Sequence, residues 1–200
     1  MIAMFDIVML SGSPTEPSRS RHLLRIASER LTARGHRVQC IDIRHLPAGA
    51  LLHADWNDPA IQAALEAVQH AAAVIVATPL YKASYSGLFK AFLDLLPQAA
   101  FANKPVLPFA TGGSLAHLLA LDYALKPVLT ALGARHVLDN VFATEADIAR
   151  VDGEYRIAAP LAQRLHGAVE SLMHVLDERA ALTRLGTLAA SERTEIAVNP

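Results

Sequence analysis

The sequence predicts an α/β fold in which a doubly wound, five-stranded parallel sheet carries helices on both faces. Short apolar runs rich in β-branched residues alternate with longer segments of helical periodicity, which is typical of repeated βαβ units around a buried parallel sheet. The chain has 200 residues, of which 52% are hydrophobic and 18% charged. It can therefore bury one sizeable core, and its length suits one domain better than two.

The elements follow in order from these patterns. The predicted strands are residues 5–10, 36–43, 73–78, 105–111 and 136–142. The predicted helices are residues 18–34, 57–70, 87–96, 114–132 and 161–179. Gly35 is placed to end the first helix, Pro59 lies in the first turn of the second, and Ser114 can cap the fourth. Polarity rises after Ala180, so we expect a domain over residues 1–180 and a tail over 181–200 that is poorly ordered or docked on a partner.

Charge and cysteine usage limit the possible functions. The chain has 18 Lys and Arg residues against 19 Asp and Glu residues, so no net charge attracts it to nucleic acid or an anionic membrane. The single cysteine, Cys40, cannot form an internal disulfide, and we expect it to be buried in the second strand. No Cys and His spacing resembles a metal site, and the longest apolar run, residues 71–77, is far shorter than the roughly 20 residues of a membrane helix. These features predict a cytoplasmic protein without a metal.

Three loops at the carboxyl ends of the predicted strands carry unusual residues, and open parallel sheets bind ligands at that edge. The first loop, SGSPTEPSRS at residues 11–20, brings four serines and Arg19 to the start of a helix. Backbone N–H groups, hydroxyls and one cation together suit a phosphate. The loop lacks the glycine patterns of dinucleotide sites and P-loops, which favours a monophosphate. A Ser- and Pro-rich turn with an N-cap is the alternative.

The other two loops suit a planar ring. TPLYKASYSG at residues 78–87 offers two tyrosines and close backbone groups, and TGGSLAH at residues 111–117 has paired glycines that permit close approach of a ligand. Packing tyrosines and a tight strand-to-helix turn are the alternatives for each loop alone. Together the three loops outline a site for flavin mononucleotide (FMN) on a flavodoxin-like sheet.

These loops, their order and nearly the whole chain resemble the NAD(P)H-dependent FMN reductases of the flavodoxin-like superfamily, and most closely the reductases of two-component alkanesulfonate monooxygenase systems. The resemblance is carried by SGSPTEPSRS, ATPLYKASYSGLFKAFLDLLP and ATGGSLAHLLALDYALKPVL. It implies NADPH as hydride donor, FMN as a freely exchanging substrate, a homotetramer, and delivery of reduced FMN to a monooxygenase that desulfonates organosulfonates.

The resemblance also assigns residues to the site. Those on the phosphate loop are Ser11, Ser13, Ser18, Arg19 and Ser20; those beside the isoalloxazine ring are Pro79, Leu80, Tyr81, Lys82 and Ser84; those of the third contact are Thr111, Gly112, Gly113 and Ser114. Thr15 stands where many relatives have Arg, which leaves the phosphate one fewer cation. No catalytic acid or base is expected, because hydride passes directly from nicotinamide C4 to flavin N5.

The predicted helix at residues 114–132 has two further properties. It is apolar on more than one side, so it is either buried or shared with another subunit, and the resemblance selects the second. Pro127 has no N–H for the carbonyl of Tyr123, which predicts a kink or a π-bulge there. The resemblance favours the bulge, with Tyr123 at a subunit interface beside the flavin, where it keeps FMN binding weak.

Three other functions fit the same fold. A quinone or azo-compound reductase would hold FMN as a fixed prosthetic group, and composition does not exclude it. A flavodoxin is disfavoured because its partners usually demand an acidic face and this chain is near neutral. A non-enzymatic FMN carrier is the weakest of the three.

Overall fold

A parallel sheet forms the centre of the computed structural model, which describes the backbone of residues 4–198 and the side chains of residues 4–185. The strands pair in the order β2 (Arg37–Asp42), β1 (Asp6–Ser11), β3 (Ala73–Tyr81) and β5 (Pro105–Gly112), followed by β6 (His136–Val137) and β7 (Val141–Thr144), which both pair with β5. A two-residue strand, β4 (Ser84–Tyr85), runs antiparallel to the end of β3. The strand order reverses between β1 and β3, and the loops after these strands open a crevice there.

Helices cover both faces of the sheet. One face packs on α1 (Arg19–Ala33) and α6 (Ala159–Val198); the other packs on α2 (Ala48–His53), α3 (Pro59–His70), α4 (Gly87–Leu93) and α5 (Lys126–Ala131). Alternate residues of β3 supply both cores, with Val74 and Val76 on one side and Ile75 and Ala77 on the other. Because both faces are buried, the strand is a continuous apolar run.

The predicted fold class is confirmed, and within residues 4–198 the sheet contains seven strands instead of five. The last predicted strand, residues 136–142, is interrupted, so that β6 pairs with the start of β5 and β7 with its end. The predicted loop at residues 79–86 contains β4, because β3 extends to Tyr81 and turns back through Lys82 and Ala83, whose φ angles are 51° and 62°. A turn with positive φ at two consecutive residues matches the right-handed twist of the two strands that it joins in a tight hairpin.

The prediction of a single continuous helix over residues 114–132 is wrong. The segment has a 3₁₀ turn at Leu115–His117, a π-helical turn at Leu121–Leu125 and then α5. The N–H of Lys126 donates to the carbonyl of Leu121, five residues earlier. The irregularity predicted from Pro127 is therefore confirmed as a π-helical turn around Tyr123.

Besides β4, one helix and two strands were not predicted. The stretch between β2 and α3 contains α2, and a separate antiparallel hairpin of β8 (Ile148–Val151) and β9 (Glu154–Ile157) follows β7. Cys40, expected to be buried, is exposed because β2 is an edge strand of the sheet.

The last helix continues beyond its predicted end at residue 179. Residues 181–185 of α6 are exposed, and side chains from residue 186 lie outside the described part. The poorly ordered or partner-docked tail over residues 181–200 stays a prediction. Across residues 4–198, none of the helices combines the length and the apolar character that crossing a membrane requires.

Candidate functional site

A cleft of about 290 Å³ opens at the carboxyl ends of β1, β3 and β5, beside the reversal of strand order. Its walls come from all three predicted loops and from the chain that follows β7. The lining residues are Ser13, Thr15, Pro17, Ser18, Arg19, Pro79, Leu80, Tyr81, Thr111, Gly112, Gly113, Glu145 and Tyr155. Arg19 and Glu145 are the charged residues among them.

The first loop is fastened to the neighbouring strand and helix at Gly12. Its N–H donates to the carbonyl of Ala77 at 2.8 Å, and its carbonyl accepts a hydrogen bond from the Ser86 hydroxyl. Ser86 also caps α4, because its hydroxyl accepts from the N–H of Phe89 at 3.1 Å. A Cβ on residue 12 would lie 2.6 Å from the Cβ of Phe89, so only glycine permits this approach.

Two buried serines of the first loop, Ser13 and Ser18, precede α1, and the buried Ser20 lies in its first turn. The Ser18 hydroxyl accepts from the N–H of Arg21 at 3.3 Å and lies 3.0 Å from the Ser20 hydroxyl. The Ser13 hydroxyl accepts from the N–H of Thr15 at 3.4 Å. The first N–H groups of α1 have no intrahelical partner and carry the positive end of the helix dipole towards the cleft.

The Arg19 side chain lies across the edge of the cleft and contacts the β8–β9 region. Its Nε donates to the carbonyl of Ile148 at 3.2 Å, its Nη1 donates to Oε1 of Glu145 at 3.1 Å, and its guanidinium lies 5.9 Å from the centre of the Tyr155 ring. The side chain is 32% exposed, and that of Glu145 is 65% exposed. The cation expected for a phosphate is thus already paired with a carboxylate.

The β3–β4 hairpin forms the second wall. The buried Thr78 hydroxyl accepts from the N–H of Ser86 at 3.1 Å and donates to the carbonyl of Pro79 at 3.0 Å, which fixes the end of β3. Tyr85 packs edge-on to Phe89, with 6.1 Å between the ring centres, and partial burial raises the pKa of its phenol. Tyr81 is 47% exposed at the cleft.

The third wall is the end of β5. Gly112 lies close to the Phe142 ring, since a Cβ there would be 3.0 Å from the ring's Cζ, whereas a Cβ on Gly113 would have no neighbouring atom within 4 Å. Thr111 is buried and Gly113 is exposed. The backbone at Gly113 is therefore open to a ligand.

The comparisons with known proteins agree with this site. The family model described as NADPH-dependent FMN reductase matches residues 5–148. The chain belongs to that family. A curated FMN reductase (NADPH) of Pseudomonas putida is 44% identical over 184 residues, which cover 91% of this chain and 93% of that protein. An FMN reductase (NADPH) of Escherichia coli is 43% identical over 173 residues, covering 86% and 91%.

A solved structure of an apo NADH:FMN oxidoreductase superposes with a TM-score of 0.78 at 39% identity, covering 86% of this chain and 90% of that one. The predicted NADPH-dependent FMN reductase activity, with FMN and NADPH as its cofactors, is thereby confirmed at the level of the family.

The cleft of this reductase suits the two ends of FMN. Hydroxyls, a guanidinium and a helix N-terminus gather at one end, which is the donor set that a phosphate needs. The other end, at Pro79–Tyr81 and Gly112–Gly113, offers backbone edges and an aromatic side chain to a planar ring.

The cleft brings together most of the residues expected from the sequence, but not all of them. Ser11 is buried at the end of β1, where its hydroxyl has no hydrogen-bond partner within the described residues, and Ser20 is buried behind Ser18. Lys82 lies exposed in the hairpin turn, and Ser84 pairs with Tyr81 across that hairpin. These residues and the exposed Ser114 do not line the cleft. Their assignment to FMN stays a prediction.

Four lining residues were not nominated from the sequence: Thr15, Pro17, Glu145 and Tyr155. The first two belong to the phosphate loop itself. Glu145 follows β7 at the same sheet edge as the other loops, so the rule that ligands bind at the carboxyl ends of strands could have identified it. Among the described side chains of residues 4–185, we find no group of three or more His, Cys, Asp or Glu residues that could bind a metal ion.

Proposed function

We propose that this reductase uses NADPH to reduce FMN that binds and leaves in each catalytic cycle, and that it supplies the reduced FMN to a flavin-dependent alkanesulfonate monooxygenase for sulfur acquisition. The resemblance of its three loops, and of LDYALKPVL in particular, to the reductases of alkanesulfonate systems supports the identity of the partner. FMN and NADPH follow from the family.

The main structural support for the proposal that FMN exchanges is the π-helical turn at Leu121–Leu125. It packs against β4, the strand that pairs with the cleft-lining end of β3. Its Tyr123 side chain is 80% exposed in the single chain. π-Helical turns are frequent at functional sites. This one carries a large exposed aromatic residue and reaches the wall of the cleft through β4, which it contacts and which pairs with β3.

The same surface supports a homo-oligomer. Leu121 and Leu125 pack inward, whereas Leu115, Leu119 and Tyr123 are 69%, 59% and 80% exposed. Contiguous exposed apolar side chains mark interaction surfaces. We infer that a second copy of the chain covers them and that the assembly is a tetramer, with Tyr123 at the interface and close to the isoalloxazine ring.

In this proposal the protein supplies binding and alignment. Ser13, Ser18, the N-terminus of α1 and Arg19 would hold the phosphate, while Pro79–Tyr81 and Gly112–Gly113 would hold the ring. The bound flavin supplies the hydride-accepting N5 atom. No side chain is required to move a proton.

Substitution of Tyr123 tests the exchange. Tyr123→Ala, or deletion of the residue so that regular helical bonding partly returns, should yield protein that retains flavin after purification and turns over added FMN poorly. Flavin content is measured by absorbance, and turnover by NADPH oxidation. Leu52→Ala is the matched control, because Leu52 is 77% exposed on the separate helix α2. Colourless Tyr123 variants with unchanged FMN turnover would show that Tyr123 only packs.

The second candidate is a quinone or azo-compound reductase with fixed FMN. It predicts wild-type protein that is already yellow and that reduces such an acceptor without added FMN.

A further inference from the structure

The charges that line the FMN cleft cancel. Arg19 contributes one positive charge and Glu145 one negative charge, and the remaining lining residues are uncharged. A phosphate monoester brings about −1.5 to −2 charges at neutral pH. Tight binding of such an anion is favoured when the cation of the site is unpaired. In this cleft the cation, Arg19, is already paired with Glu145.

Glu145 is not needed to position Arg19. The Nε of Arg19 donates to the carbonyl of Ile148 at 3.2 Å, and its guanidinium lies beside the Tyr155 ring. These two contacts hold the side chain at the edge of the cleft. The bond from Nη1 to Glu145 instead occupies a donor that a phosphate oxygen could use.

The backbone at Glu145 is held by hydrogen bonds, whereas its side chain is mostly exposed and contacts Arg19. The carboxylate of Asp147 accepts from the N–H and from the hydroxyl of Thr144, each at 2.8 Å, and closes the turn after β7. The Glu145 side chain projects from this turn and is 65% exposed. It can therefore swing into solvent when another anion takes its place on Arg19.

We propose that Glu145 competes with the FMN phosphate for Arg19 and so keeps FMN affinity low enough for rapid exchange. The inference rests on the proposed function, in which FMN is an exchanging substrate. It makes Glu145 an affinity-determining residue that acts through Arg19. Phosphate binding displaces the carboxylate, and release of FMN is assisted by its return.

Glu145→Gln tests the competition, because glutamine keeps the size of the side chain and removes its charge. FMN should bind roughly fivefold more tightly, the scale of a partly exposed ion pair. Riboflavin, which lacks the phosphate, should bind as it does to the wild-type protein. The gain should shrink as salt is raised, since the charges involved are partly exposed. In steady-state kinetics the KM for FMN should fall. Dissociation constants are measured by flavin fluorescence titration.

Two further variants make the result specific. Glu154→Gln removes the same charge from the β8–β9 hairpin outside the cleft and should leave FMN affinity unchanged. Arg19→Ala alone should weaken the binding of FMN but not that of riboflavin. When Glu145→Gln is added to Arg19→Ala, it should no longer increase the affinity for FMN.

Unchanged or weaker FMN binding in Glu145→Gln, or equal tightening of riboflavin, would overturn the competition. NADPH oxidation by the wild-type protein with added FMN tests the proposed function separately, so the failure of one idea is distinguishable from the failure of the other.

Discussion

Replacing Gly12 by Ala should destabilise the protein, because the first loop touches α4 at this residue. The added Cβ would lie 2.6 Å from the Cβ of Phe89 and 2.8 Å from its Cγ, whereas carbon atoms in contact are normally about 3.5–4.0 Å apart. Phe89 is fully buried, and a Cβ cannot rotate away. The loop and α4 must therefore separate by about 1 Å, which also strains the hydrogen bond from Ser86 to the Gly12 carbonyl.

The size of the effect follows from opposing contributions. Overpacking of a buried contact costs about 1–3 kcal/mol, and the upper end applies because the atoms in conflict belong to fixed parts of the side chains. A strained hydrogen bond adds about 1 kcal/mol. Alanine also lowers the conformational entropy of the unfolded chain, which stabilises the folded protein by about 0.4–1 kcal/mol. We expect a net loss of about 3 kcal/mol in the free energy of unfolding.

Urea-induced unfolding of the flavin-free protein, at fixed protein concentration, measures this loss. Gly113→Ala is the matched control, because a Cβ there meets no atom within 4 Å, and its unfolding free energy should stay within about 1 kcal/mol of the wild type. Phe89→Ala should not rescue Gly12→Ala, since alanine keeps the Cβ that lies 2.6 Å away. A Gly12→Ala protein as stable as the wild type would refute the close approach.

Two further predictions concern the turn after β7 and the assembly. The hydrogen bonds from Thr144 hold the pKa of Asp147 below its ordinary value of 3.8, so the stabilisation is present above that pH and is lost as the pH falls through the lowered pKa. Asp147→Asn should therefore cost about 1 kcal/mol at pH 7 and nothing in strong acid, and an equal cost at both would contradict the assignment. Sedimentation at micromolar concentration should show a dimer or tetramer, and Leu119→Asp a smaller species; wild-type monomer alone would exclude the proposed interface.

Much of the fold could be predicted because the local pattern and the tertiary structure agree. Buried strands such as β3 are apolar runs, and Ser18 and Gly35 mark the two ends of α1 by capping. An irregularity around Tyr123 could be anticipated from Pro127, since a missing N–H is a local chemical fact, and the family resemblance selected the π-helical form over a kink. The β8–β9 hairpin was missed although Asp152 and Gly153 form its turn, a dipeptide that is a strong hairpin signal.

Other features could not be predicted from local chemistry. Lys82 and Ala83 adopt positive φ without a glycine or asparagine, because the pairing of β3 with β4 imposes it. By contrast, the break between β6 and β7 could have been predicted, because Asp139 and Asn140 lie in it and both residue types favour turns. The ion pair of Arg19 with Glu145 joins residues that are 126 positions apart. Only the folded chain brings them to one cleft.

The central claim, that FMN is an exchanging substrate of this reductase, is tested most directly on the wild-type protein. Its visible absorbance after purification and gel filtration reports retained flavin, and NADPH oxidation is then followed with and without added FMN. The account predicts colourless protein that oxidises NADPH only when FMN is added. Protein that retains about one flavin per chain and oxidises NADPH with a quinone or azo acceptor, without added FMN, would contradict it.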